Sequence, residues 1–271
     1  MLKTRVITAL ILLAILLPIL FLNNFFAFAA VSVVFFAAGA WEGLRLFGVP
    51  RARLWAGLCS LAYAVIVFDS GLPSVRGVLG LCVALWVVRF VPALGLGLPP
   101  LASIGNRLLS VTYTLALLGC FIAIISLFQR SPLYLLSVMA IVWVADIGAY
   151  FSGKGFGRHK LAPSISPGKS WEGVVGGWLA VLVIAAVSVM SISGETFSGR
   201  LYERFGWPGF LLVMSLLVAA SVVGDLFESQ LKRRAGVKDS SNLLPGHGGV
   251  LDRIDALIPV LPLAALIDLW L

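Results

Sequence analysis

Apolar runs of membrane-spanning length recur along this 271-residue chain with few charges inside them, and that spacing leaves few folds open. A hydrocarbon core of about 30 Å takes about 20 residues of helix to cross. Lipid offers backbone N–H and C=O groups no partners, so each span must satisfy them internally as a helix. On that ruler nine spans are expected, at residues 6–22, 25–41, 54–68, 75–91, 109–128, 133–151, 174–192, 210–227 and 254–271. Pro259 and Pro262 interrupt the last, which predicts a bent helix. Composition agrees: 60% of residues are hydrophobic and 12% charged, against roughly 25% charged in a soluble domain. The expected fold class is therefore an all-α integral membrane protein, a polytopic bundle of about nine transmembrane helices.

Charge orients the bundle. Sixteen of the 20 Lys and Arg fall in the N-terminus and the even-numbered loops. The other segments hold only Arg76, Arg130, Arg200 and Arg204. Basic residues collect on the cytoplasmic side, so the N-terminus is expected there. Lys3 and Arg5, an apolar run and then Ala27-Phe28-Ala29 also resemble a cleavable secretory signal. The apolar sequence continues past that point, which a retained first helix explains better. In a soluble chain a net charge of +8 would suggest nucleic acid, but here the charge sits between spans. Bilayer headgroups and phosphorylated substrates are the expected partners, and no nucleic acid. Cys59, Cys82 and Cys120 lie singly in apolar stretches, so neither a disulfide framework nor a zinc site is expected.

The chemistry-bearing residues are unevenly spread. Residues 1–132, about five spans, carry few polar groups and read as a transmembrane scaffold. Residues 133–271, about four spans with two cytoplasmic loops, read as the catalytic half. Within it, Asp225, Glu228, Asp239, Asp252 and Asp255 account for five of the chain's 12 carboxylates. Asp225 and Glu228 close one apolar span three residues apart, and Asp252 and Asp255 open the next. Residues at i and i+3 share a helical face, so two helices entering one loop can aim four carboxylates at a common site. Oxygen ligands of that kind suit a hard divalent cation such as Mg²⁺. Lys232, Arg233, Lys238 and Arg253 offer the opposite charge to phosphate oxygens. Pro245-Gly246-His247-Gly248-Gly249 is a turn whose backbone N–H groups can approach a phosphate. Acids, bases and glycines in this mixture point to phosphoryl or nucleotidyl transfer.

The run S-x-L-K-R, four residues, K-D, then P-G-H-G-G-V-L-D-R-I-D resembles the signature of phosphatidate cytidylyltransferases, also called CDP-diacylglycerol synthases. Ser229, Lys232, Arg233, Lys238, Asp239, His247, Gly248, Gly249, Asp252, Arg253 and Asp255 stand at its fixed positions. A second stretch is similar to the family's D-x-x-A-Y segment, basic glycine loop and S-P-x-K-[ST]-W-E-G motif. It holds Asp146, Tyr150, Lys154 to Pro163 and residues 166–173 with Lys169. The resemblance implies transfer of CMP from CTP to phosphatidate, giving CDP-diacylglycerol and pyrophosphate. It implies Mg²⁺, with a second cation such as K⁺ left open, and it allows a homodimer. The expected place is a bacterial-type inner membrane, with the active site facing the cytoplasm.

On that reading Asp225, Asp252 and Glu228 face the metal. Lys232, Arg233, Lys238, Asp239, Arg253 and Asp255 serve the transfer, and Asp146, Tyr150, Lys169, Ser229, His247, Gly248 and Gly249 hold substrate. Glu42, Asp69 and Asp268 read as span-end residues without catalytic duty, and Trp171 and Trp178 as interfacial aromatics. Gly168-Lys169-Ser170 ends like a phosphate-binding loop, but Pro163 stands where its first glycine belongs. Two other classes compete. A CDP-alcohol phosphotransferase would need a DGxxAR…GxxxDxxxD pattern that is absent, and a polyprenol kinase would use similar metal chemistry. A carrier for anions would place charges deep in several spans rather than at one face.

Overall fold

Each of the nine apolar segments falls largely within helix in the computed structural model of the chain. The structure describes residues 2–68, 75–192 and 194–271, without the side chains of residues 1–6, 9 and 12. Asp69 and the side chains of Lys3 and Arg5 lie outside the described residues. The order is α1 (Leu2–Phe21), α2 (Phe25–Leu46), α3 (Ala52–Phe68), α4 (Val75–Leu85), α5 (Val91–Leu96), α6 (Ile104–Arg130) and α7 (Pro132–Phe156). A hairpin of β1 (Lys160–Ala162) and β2 (Ser166–Ser170) follows, then α8 (Trp171–Ser191), α9 (Phe197–Arg234), α10 (Leu251–Ile254) and α11 (Leu257–Asp268). Among the described residues six helices are long and apolar enough to cross a membrane: α2, the continuous Val75–Leu96 segment, α6, α7, α8 and α9. α3 and α11 are apolar but shorter.

Local sequence sets the ends. Asn24, Ser103, Ser131, Ser170 and Thr196 each accept a hydrogen bond from the backbone N–H three residues on. The segment that was expected to stop at residue 91 runs on to Leu96 through a π-helical turn, Trp86–Phe90. Pro92 explains the turn: it cannot donate to Val88, and its ring crowds that carbonyl. Likewise α9 starts at Phe197 and kinks at Gly206 (φ 62°), two residues before Pro208. Pro259 cannot donate to the Asp255 carbonyl, and the last span breaks there into α10 and α11. The hairpin is a departure from a purely helical expectation. Pro163 supplies the fixed φ for a turn closed by Ile165 N–H donating to Ala162 O, 3.1 Å.

The core runs along α6 and α11, whose side chains are buried on nearly every face of α11. Twelve residues rise only about 18 Å, so α11 is a half-length buried rod rather than a lipid-facing span. α7 and α8 pack backbone to backbone through Ala145, Gly148, Gly173 and Gly177. A Cβ on Gly177 would stand 2.5 Å from the Ala145 carbonyl oxygen, so the backbones touch there. Gly177→Leu is expected to destabilise the bundle by about 1–3 kcal/mol, read as a lower Tm in detergent. Gly155→Ala, with open space around its Cβ, is the control that should leave Tm unchanged.

Charged groups mark two opposite ends. At one, Arg130 Nε donates to Asp268 Oδ2 (2.9 Å) and Tyr134 Oη donates to Asp268 Oδ1 (2.6 Å). Arg200 lies over the Tyr134 ring, and Arg76 over the Trp270 ring, whose carbonyl accepts from Arg204. Asp268 closes α11 as a span-end residue, and it is a buried one with partners. The four basic residues set apart by charge share this end. At the other, Thr8 Oγ1 of α1 donates to Pro245 O (2.8 Å), beside the glycine turn. The indole N–H of Trp178 donates to Ser215 Oγ of α9, 2.8 Å, which ties α8 to α9.

Candidate active site

From the kink, residues 207–234 of α9 rise about 42 Å, more than the ~30 Å of a hydrocarbon core. Its last turns carry Asp225, Glu228, Ser229 and Lys232 on one face, at i, i+3, i+4 and i+7. The chain returns through a loop, residues 235–250. Leu244-Pro245-Gly246-His247 is a turn with Pro second and Gly246 third at φ 78°, closed by His247 N–H donating to Leu244 O, 2.8 Å. Gly248 O accepts from Leu244 N–H at 2.8 Å, which closes the turn on itself.

Two ionic knots result. In the first, Lys232 Nζ pairs with Glu228 Oε2 and, at 2.6 Å, with Asp252 Oδ1. Glu228 is fully buried, and its Oε1 has no hydrogen-bond or ion partner among the described residues. Asp252 Oδ2 accepts from Gly249 N–H (2.7 Å), Ser240 N–H (2.8 Å) and Ser240 Oγ (2.9 Å). Burial alone would push the Asp252 carboxyl up. The Lys232 ammonium and the N–H groups of Gly249 and Ser240 outweigh it and hold the carboxyl below its usual range. Asp252 is thus ionised at neutral pH.

In the second knot, Lys169 at the end of the hairpin pairs with Asp225, whose Oδ1 also accepts from Ser229 Oγ at 3.3 Å. Asp146 and Tyr150 of α7 join Lys169 and Asp225 in lining a cavity of about 370 Å³ between α7, α8 and α9. The tight α7–α8 contact holds the hairpin over this cavity: Ser170 caps α8, and Glu172 accepts from His159 N–H and Nδ1.

Of the four carboxylates expected at one point, three pair with two lysines: Asp225 with Lys169 of β2, and Glu228 and Asp252 with Lys232 of α9. Asp255 accepts from the N–H of its neighbour Ala256, 2.8 Å. Arg233, Lys238, Asp239 and Arg253 are exposed at the rim; Arg233 donates to Ile165 O at 3.4 Å and Arg253 to His247 O at 2.7 Å. His247 Nδ1 is buried with no hydrogen-bond partner among the described residues.

Sequence reading missed Glu42. It was read as a span-end residue, yet it is fully buried near the C-terminal end of α2. Its Oε1 accepts from Val250 N–H (3.1 Å) and Ser241 Oγ; its Oε2 accepts from Leu251 N–H (2.6 Å) and faces Ser240 Oγ at 3.1 Å. Arg45, one turn on, donates to the Ser240 carbonyl. A carboxylate in the first half of the chain thus fastens a loop about 200 residues away, a pairing no local pattern announces.

Among the described residues no three His, Cys, Asp or Glu side chains are placed to cage a metal ion by themselves. Mg²⁺ seldom needs such a cage; it is commonly held by one or two carboxylates plus substrate phosphates. The donor chemistry fits that mode, because the unpartnered Glu228 Oε1 lies buried beside ionised Asp252.

The chain matches the family model described as the cytidylyltransferase family over residues 3–270. It is 43% identical to the phosphatidate cytidylyltransferase of Pseudomonas aeruginosa, an alignment covering 100% of this chain and 97% of that protein. It is 38% identical to that of Haemophilus influenzae, covering 97% and 96%. It is 32% identical to that of Brucella suis, covering 95% and 89%.

Proposed function

The chain belongs to the cytidylyltransferase family, and we propose that its ionic knots are where CMP passes from CTP to phosphatidate, giving CDP-diacylglycerol and pyrophosphate. The observation that carries the placement is the meeting of Lys232, Glu228 and Asp252 beside Lys169 and Asp225, at the polar end of the helices. An ionised phosphate oxygen of phosphatidate attacks the α-phosphorus of CTP. A new P–O bond forms there as the bond to the β-phosphate's bridging oxygen breaks, and pyrophosphate departs with the electron pair. The nucleophile is already ionised, so no strong base is needed; the barrier is crowded negative charge.

Lys169 lines the cavity and Lys232 holds the adjoining knot, and both can exchange carboxylate partners for phosphate oxygens. Arg233, Lys238 and Arg253 at the rim meet the more exposed phosphates, with Asp239 among them. Asp225, Glu228 and Asp252 would hold Mg²⁺, which supplies further neutralisation when bound. Asp255 supports them, and a second cation such as K⁺ is compatible with the remaining oxygens. Asp146 and Tyr150 border the cavity and Ser229 holds Asp225 beside it, while Gly248 offers a backbone N–H group near His247 and the Gly249 N–H holds Asp252. In this reading residues 1–132 brace residues 133–271, nine segments together traverse or enter the bilayer, and the basic end faces the cytoplasm of a bacterial-type inner membrane. A homodimer is compatible with its apolar flanks.

Purified chain in mixed micelles of phosphatidate tests the assignment. Pyrophosphate and CDP-diacylglycerol should appear with CTP, little with ATP, GTP or UTP, and none once EDTA removes Mg²⁺. Absence of turnover with CTP, or anion flux without turnover, would overturn it in favour of a carrier.

A further inference from the structure

We infer that Glu42 is a positioning residue for the transfer, setting the orientation of Asp252 through Ser240. The inference rests on the active site proposed above. Among the described residues, each hydrogen-bond partner of the Glu42 carboxylate is a donor: two backbone N–H groups, of Val250 and Leu251, and the hydroxyls of Ser240 and Ser241. An ionised carboxylate is acceptor-only, with about four lone-pair sites, so the fit is by charge and by shape. The Ser240 hydroxyl stands between two carboxylates, 3.1 Å from Glu42 Oε2 and 2.9 Å from Asp252 Oδ2, and shares its one proton between them. Both carboxylates thus grip the same residue, and Ser240 N–H fixes Asp252 Oδ2 as well, 2.8 Å.

Gly249 reads the same constraint from the other side. A Cβ there would meet Ser240 Oγ and lie 2.5 Å from Glu42 Oε1, so only glycine lets this loop close on α2. Movement of Glu42 would shift Ser240 and Gly249, two of the groups that aim Asp252 at Lys232. No substrate needs to touch Glu42 for this to matter.

Glu42→Gln keeps the shape but turns an amide N–H₂ toward donors. It should lower kcat about 10–100-fold, the usual cost of disturbing an outer partner of a reacting carboxylate. KM for CTP and phosphatidate should stay within about threefold, and Tm within a few degrees. Ser240→Ala breaks the link while leaving Glu42 on the Val250 and Leu251 N–H groups. In the Glu42→Gln/Ser240→Ala double variant the two kcat losses should not add. Unchanged kcat in Glu42→Gln, or losses that multiply, would overturn the inference. So would a kcat loss that merely tracks a fall in the folded fraction. Should Glu42→Gln fail to fold, Ser240→Ala alone decides: wild-type kcat refutes the link. Wild-type chain inactive with CTP would instead count against the transferase assignment and not against Glu42.

Discussion

Asp252→Asn is expected to lower cytidylyl transfer on the order of 10³-fold while leaving membrane insertion, helix content and Tm near wild type. The substitution is close to isosteric, so the loop loses no volume. One amide oxygen can still accept from Gly249 and Ser240, which hold Asp252 Oδ2 at 2.7–2.9 Å. The other end becomes N–H₂ and meets the Lys232 ammonium, donor against donor, where Asp252 Oδ1 now accepts at 2.6 Å. Lys232 keeps Glu228, so the fold retains its buried pair. The position loses its negative charge and one of its two acceptor oxygens, and with them its means of sharing a cation with phosphate. Turnover from CTP, circular dichroism and thermal unfolding on one preparation separate the two effects. Near-wild-type turnover would remove Asp252 from the reaction.

What could be read in the sequence divides along physical lines. Hydropathy located the helices because lipid leaves a chain no other choice, and the signature around Lys232 and Asp252 located the chemistry. Helix ends were read less well where one proline acts on the turn before it. The π-turn ahead of Pro92, the Gly206 kink and the break before Pro259 each moved or divided a segment. The α7–α8 contact at Gly177 and Ala145 depends on how two helices meet, which composition does not encode. Pairing of charges was the least legible. Asp225 and Glu228 look alike in sequence, yet one takes Lys169 from a hairpin and the other Lys232 from its own helix. Glu42 and Asp268 looked like ordinary span ends because their partners lie far along the chain, in the loop before α10 and at Arg130 and Tyr134.

Lys232→Ala should be the most disruptive single change at this end, because it removes the cation that two buried carboxylates share. Side-chain exposure is 14% for Lys232, 0% for Glu228 and 4% for Asp252, so water replaces little of what is lost. Breaking a buried pair by deleting one partner costs about 3–5 kcal/mol, and here the survivors also repel each other. Tm in detergent should fall accordingly, together with all transfer. Adding Glu228→Gln removes the stranded charge and should recover most of the lost Tm without recovering turnover. That asymmetry separates the two roles of the lysine. Lys232→Arg sharpens it further: charge is kept, so much of the stability should survive. The planar guanidinium, however, cannot occupy the compact position between Glu228 and Asp252 or move freely to a phosphate, and turnover should stay low. If Lys232→Ala unfolds at the wild-type temperature, the carboxylates do not depend on this lysine, and the first knot is not the charge-balanced core from which the transfer is derived.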